Sequence, residues 1–519
     1  METGEHELDV ERREIRSLED LEIPFLQSEY SISGDLGISF LLSEYSTSDS
    51  KNNYGTPNEE ETTGSIGMVL LSVFVAVCGS IEMGCCVGYS SPTQSAIMKD
   101  LNLSTSQYSV FGSILPIGAM FGAFTSGRIA DHIGRKGAMR MSAGFCIAGW
   151  LAVFFSEQNF SLDMGRFVTG YGIGVFSFVV PVFIAEISPK NLRGGLTALN
   201  QLLNITGAST AFLLGSVISW RALALTGLVP CIFLLIGLFF VPESPRWLAK
   251  VGRDKEFKVA LQKLRGKDAD ITREADEIKD SVEILQALPK TRVLDLFQRQ
   301  YISAVFIAGG IMMLQQFSGI NGIAYYTRET FVAAGLSSAT IGTTAYACVE
   351  VPATMVGALL MDKCGRKPLI MFSAVGTFLG CSIAGISFLL KSHGLLLEWV
   401  PGLAVAGLLI FISAYAIGMG PVPWGIMSEI FPINMKGVGG SLVVLVNWLG
   451  AWIVAYTFNF LISWSFSGTF FLYSAFSLMT FQFVAKFVPE TKGKTLEEIQ
   501  EYIHRNGERI SSGKLEILV

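Results

Sequence analysis

Asp131-His132-Ile133-Gly134-Arg135-Lys136 returns, little changed, as Asp362-Lys363-Cys364-Gly365-Arg366-Lys367, 231 residues later (362 − 131). Each copy separates two long apolar runs. A charged hexad repeated at this distance predicts two homologous halves facing one another across a pathway, an architecture expected of a transporter.

The apolar runs fix the medium. Half of the 519 residues are hydrophobic and 16% are charged, against about 25% in a soluble domain. Mean hydropathy is +0.47. Twelve spans are predicted, near 66–90, 108–127, 138–155, 163–185, 197–218, 222–241, 301–324, 339–361, 368–390, 400–424, 437–460 and 467–488. Each is near the length of about 20 residues that crosses a hydrocarbon core. The expected fold is an all-α membrane protein with two pseudo-symmetric six-helix bundles at 65–241 and 301–488. Residues 242–300 alternate charge with Phe257, Leu261, Leu264, Ile278, Val282 and Leu285, which predicts a linker of short amphipathic helices.

Charge sets the orientation. Basic clusters follow the even-numbered spans (Arg128, Arg135, Lys136 and Arg140; Lys190 and Arg193; Arg246 to Arg265), whereas loops after odd spans hold at most one base each. By the positive-inside rule both termini are cytosolic, in a plasma or vacuolar membrane. Residues 1–64 carry 16 acids and 4 bases, a net of −12 against −6 for the whole chain, so the remainder is +6. This tail is expected to be cytosolic and disordered, and 489–519 forms a second cytosolic tail. Two sequons, at Asn102 and Asn159, fall outside as candidate glycosylation sites.

Two further motifs repeat. Glu186 precedes Arg193 as Glu429 precedes Lys436, by seven residues in each case; Pro242-Glu243-Ser244-Pro245-Arg246 matches Pro489-Glu490-Thr491-Lys492-Gly493. Paired acids and bases at these helix ends predict a cytosolic gate formed by Asp131, Arg135, Arg166, Glu186, Arg193, Glu243, Arg246, Asp362, Arg366, Glu429 and Lys436. Such a network would link the two halves and break on opening. Arg166 stands apart, at the start of span four before a glycine ladder, and an ion pair with Glu186 or Glu243 is the expectation.

With Arg166 and its glycines, Gln315-Gln316-Phe317-Ser318-Gly319-Ile320-Asn321, Gly420-Pro421-Val422-Pro423-Trp424 and the two Pro-Glu-Ser/Thr motifs, residues 65–495 resemble the sugar porter branch of the major facilitator superfamily. Gly88-Tyr89-Ser90-Ser91-Pro92 makes them most similar to plant early-responsive-to-dehydration-like monosaccharide transporters. The resemblance implies alternating access around one hexose-sized site, for a sugar such as glucose or fructose. It assigns substrate contacts to Gln201, Gln315, Gln316, Asn321, Trp424 and Asn447. Neutral amides and an aromatic face are also what a polyhydroxylated ring requires in a dry site.

Two departures bear on substrate and coupling. Ala416 stands where many relatives have an acid, and Glu350 where they often have Asn or Gln. Proton-coupled relatives carry an aspartate in span one where this chain has Ser90, so the sequence favours a facilitator. Glu82, eight residues earlier, is the candidate proton site for a coupled carrier, or else a glutamate hydrogen-bonded within the bundle. A sugar sensor on the same fold and a carrier of another polyol are the alternatives. The four histidines lie in tails or loops, and no nucleophile–base or metal-ligand set appears, so neither an enzyme nor a metal or cofactor site is expected. The expected partners are a sugar, protons for a coupled carrier, and the bilayer. Nucleic acid is excluded, and the monomer is expected to function alone.

Overall fold

The computed structural model describes residues 66–189, 192–287, 293–298, 301–336, 339–431, 435–492, 494, 498–499 and 502. The acidic tail, the end of the C-terminal tail, and the side chains of Asp362 and Lys436 lie outside the described set.

Ten helices among the described residues are long and apolar enough to cross a membrane. One of them, Thr105–Phe154, holds two spans that meet at Gly134, whose φ of 82° and ψ of 171° interrupt the helix. Arg193–Gly215 is as long as a span but more polar, and it packs between spans one and eight. Counted so, there are twelve. In chain order they are Gly67–Gly88, continued by Ser90–Asp100; the two parts of Thr105–Phe154; Asn159–Ile187; Arg193–Gly215; and Trp220–Thr226 with Leu228–Gly237. The second half has Ile302–Phe317 with Ile320–Tyr325 and Thr327–Ala334; Ala339–Cys364; Arg366–Ser392; Val400–Ala414 with Val422–Ile430; Lys436–Trp464; and Phe466–Phe487.

Glycine lets neighbouring spans touch backbone to backbone. A Cβ at Gly118 or Gly122 of span two would strike the carbonyls of Phe167 or Tyr171 on span four; Gly170 and Gly174 return the contact. Between the spans lie three short helices, Pro245–Lys250, Asp254–Arg265 and Thr272–Ala287. They bury Trp247, Leu248, Phe257, Leu261 and Ile278 in a small core of their own. Trp247 Nε1 donates to Asp131 O at 2.9 Å and Arg265 donates to Ile187 O at 3.0 Å, which ties the linker to the first half.

The repeated hexads build the same device twice. Gly134 and Gly365 adopt matching conformations, φ 82° and ψ 171° against φ 88° and ψ 169°. The chain thereby starts a new helix directly after each glycine, and its first N–H groups need an acceptor. Glu243 accepts from the backbone of Arg135 and Lys136 at 3.1–3.2 Å. Glu490 accepts from Arg366 and Lys367 at 3.0 Å. A carboxylate at a helix N-terminus also meets the positive end of the dipole. Burial pushes the Glu243 carboxyl up from its usual range, against the backbone donors that lower it.

Candidate functional site

Gln315 lies in the last turn of the first segment of span seven, Ile302–Phe317. Ser318 caps that segment, and Gly319, at φ 96°, starts a second helix at Ile320. This break sits against the Tyr473 ring, where only glycine leaves room. Span ten is also broken, by five π-helical residues, Tyr415–Met419. Pro423 has no N–H with which to bond Met419 O, as a helix would require. Gln315 Nε2 takes that carbonyl at 2.5 Å and Gly420 O at 3.1 Å. Asn447 of span eleven donates to Gln315 Oε1 at 3.1 Å. Asn321 donates to Gln316 Oε1, and span eleven closes on Gln316 through Gly450. Four amides from two spans thus gather beside an unwound third.

Gln201 comes from the other half. With Ala198 and Leu202 of span five it lines a narrow cavity, with room for about 10 Å³, whose other walls are Thr354, Met355 and Ala358 of span eight and Pro421 of span ten. Trp424, one turn after Pro421, is partly exposed and rests on the core of the second half. The cavity therefore lies between the halves, beside the carbonyls that hold Gln315.

A family model described as "Sugar (and other) transporter" matches residues 38–502. The chain belongs to the sugar transporter family. It is 63% identical over 498 residues to Sugar transporter ERD6-like 16 of Arabidopsis thaliana, covering 96% of this chain and 98% of that relative. Sugar transporter ERD6-like 7 of the same plant is 56% identical over 437 residues, 84% of this chain and 94% of the relative. Among solved structures, the proton:xylose symporter XylE bound to 6-bromo-6-deoxy-D-glucose has a TM-score of 0.69 at 26% identity, covering 84% of this chain and 99% of that one. The inward open form of XylE from E. coli has a TM-score of 0.71 at 24% identity, covering 84% and 99%, which speaks to fold alone. This sugar transporter is a multi-pass membrane protein of the major facilitator fold.

The charged residues expected to bridge the halves of the transporter form described pairs within each half. Arg135 holds Glu186 with two bonds, 2.8 and 2.7 Å, and Asp131 with one at 3.3 Å. Arg366 holds Glu429 at 2.9 Å. Asp131 also pairs with Lys250 of the linker at 2.9 Å. Arg193 and Arg246 are buried near this group, and burial lowers the pKa of Arg246, in the linker. Arg166 differs from expectation. It shares a helix with Glu186, 20 residues away, and so is set off by about 30 Å. Its described partners are Cys86 O at 2.9 Å and Ser90 Oγ at 2.6 Å. The guanidinium also faces the rings of Tyr89 and Phe111.

Glu82 is turned away from the cavity, into the first half. Its Oε1 accepts from Trp150 Nε1 at 2.5 Å and from the Cys86 thiol at 3.4 Å. Of the two sequons, Asn102 is exposed in a turn, whereas Asn159 opens span four with its Oδ1 buried.

A second set of contacts, not foreseen from sequence, joins the halves at the end opposite the hexads. Tyr326, stacked on Phe458 of its own half with rings 5.0 Å apart, meets Tyr108 of the first half edge-on at 6.3 Å. Asn459 donates to Ser109 Oγ at 2.9 Å, and Arg328 N donates to Ser91 Oγ at 3.1 Å. Aromatic residues near the ends of spans seven and eleven were the available signal, but nothing in their spacing names a partner across the halves.

Proposed function

We propose that this sugar transporter carries a monosaccharide, a hexose such as glucose or fructose, by rocking its two halves about the cavity between spans five, eight and ten. What supports the reading is the gathering of Gln315, Gln316, Asn321 and Asn447 on spans seven and eleven, with Gln315 bonded to Gly420 O next to Pro421, which lines the cavity together with Gln201 of the other half. Amide groups can give and accept hydrogen bonds at once, as sugar hydroxyls demand. Trp424 offers a ring face one turn away.

Both termini are placed in the cytosol on the charge asymmetry, in a vacuolar or plasma membrane, and one chain acts alone. In that orientation Tyr326, stacked on Phe458 and set against Tyr108, and Asn459, bonded to Ser109, close the non-cytosolic side. The Glu243 and Glu490 caps stiffen the cytosolic helix ends, so that each half moves as one body. Arg135, Glu186, Arg193, Arg246, Arg366 and Glu429 form the cytosolic gate, with Asp131, Asp362 and Lys436. The transporter works as a facilitator or as a proton-coupled carrier.

A proteoliposome panel of hexoses, pentoses and inositol tests this reading. Hexose flux that falls at least tenfold in both Gln315→Leu and Asn447→Leu is expected. Binding without flux would replace the carrier by a sensor, and preference for inositol would replace the hexose.

A further inference from the structure

Two carboxylates among the described residues lie in the middle of a membrane span, Glu82 and Glu350. Glu82 points into the core of the first half, where its Oε1 accepts from Trp150 and Cys86 while its buried Oε2 has no hydrogen-bond partner among the described residues. Glu350 is placed differently. It lies on span eight, one turn before Thr354, whose hydroxyl donates to its backbone carbonyl at 2.9 Å. Thr354 lines the cavity with Gln201 and Pro421. Residues four apart share a helix face, so Glu350 belongs to the pathway side of span eight. Its side chain is partly exposed, unlike the fully buried Glu82, and its enclosed Oε2 likewise has no hydrogen-bond partner among the described residues.

We propose that Glu350 binds and releases a proton in each transport cycle, coupling sugar movement to a proton gradient. The proposal rests on the sugar-transport reading. An intramembrane carboxylate is expensive and calls for a function, and this one sits where the moving halves meet. Span eight packs on the π-helical part of span ten, where Gly357 admits the carbonyl of Ile417. Such π segments recur at functional sites. A proton taken from water on one side forms an O–H bond at a carboxylate oxygen. When the halves rock, the same proton returns to water on the other side, and no electrons are exchanged.

The groups around Glu350 leave it the titrating member. Tyr346 of its own span and Tyr415 of span ten are the phenols near it. Span five contributes one charged residue, Arg193, at its hexad end. Span nine has charges only at its ends (Arg366, Lys367 and Lys391), the outer part of span seven has Arg328 and Glu329, and span ten has only Glu429 at its end. In span one, Ser90 carries a hydroxyl that accepts from Arg166 and offers no carboxylate.

The test uses the full chain in proteoliposomes, with glucose and fructose in parallel arms and the membrane potential held at zero by potassium and valinomycin. One pH unit then drives accumulation of up to about tenfold. The unaltered chain should accumulate sugar; Glu350→Gln should only equilibrate it, while sugar-for-sugar exchange stays within about twofold. Glu350→Asp should still accumulate, and so should Glu82→Gln. Accumulation by Glu350→Gln, loss of accumulation in Glu82→Gln alone, or loss of exchange together with accumulation in Glu350→Gln would each overturn the proposal. Exchange without accumulation in the unaltered chain removes the coupling and leaves the transporter. No exchange of either sugar by that chain removes both.

Discussion

The two halves hold the same ion pair with unequal grips, and a pair of double-mutant cycles can measure the difference. Arg135 and Glu186 make two parallel bonds at 2.7–2.8 Å, with side chains 8% and 1% exposed. Arg366 and Glu429 make one described bond at 2.9 Å, with side chains 10% and 21% exposed. A hydrogen bond to a charged group contributes about 1.5–3 kcal/mol, and removing one member of a buried pair costs about 3–5 kcal/mol. Two bonds in the drier site should therefore couple by about 3 kcal/mol, and one bond in the wetter site by about 1 kcal/mol after discounting for solvent. The variants are Arg135→Gln and Glu186→Gln, singly and together, and the same changes at Arg366 and Glu429. Reversible unfolding in mixed micelles gives each free energy. Asp131 and Arg246 stand near the first pair and soften its single variants, which is why the coupling term and not the single losses is compared. Coupling in the second half equal to or above that in the first would refute the argument from burial and bond count.

Gly134→Ala and Gly365→Ala should each cost about 1–3 kcal/mol, because both glycines hold a conformation nearly reserved for that residue. A Cβ would also lie 2.6 Å from Glu243 Oε2 or 2.8 Å from Glu490 Oε2. Gly144→Ala, with nothing within 4 Å, should raise the melting point or leave it unchanged, and thermal unfolding in detergent separates the three. Asn459→Ala removes a bond to Ser109 that exists only while the halves meet at the end opposite the hexads. It should shift the population toward the form open there by about fivefold, for about 1 kcal/mol. Spin labels on Asn102→Cys and Leu396→Cys should show a longer distance, and an unchanged distribution would deny Asn459 its part in closure.

Much of the fold was legible in the chain. The hexads, the Glu186 and Glu429 motifs and the two Pro-Glu motifs mark equivalent helix ends, because apolar length and charge asymmetry are properties of sequence alone. The amides of span seven were legible too, since a polar residue in an apolar span stands out. Their partners were not. That Gln315 holds Met419 O depends on Pro423 freeing that carbonyl and on span ten lying alongside, facts separated by 104 residues. The sequence could show acids and bases at matched ends but not whether they reach across the halves. The structure pairs Arg135 with Glu186 and Arg366 with Glu429 inside their own bundles, and sets Arg166 far from Glu186 along one helix. Likewise Glu82 and Glu350 look alike as isolated acids in apolar runs. Only packing turns one toward Trp150 and leaves the other on the pathway side, because a helix's rotation about its axis is fixed by its neighbours and not by its own composition.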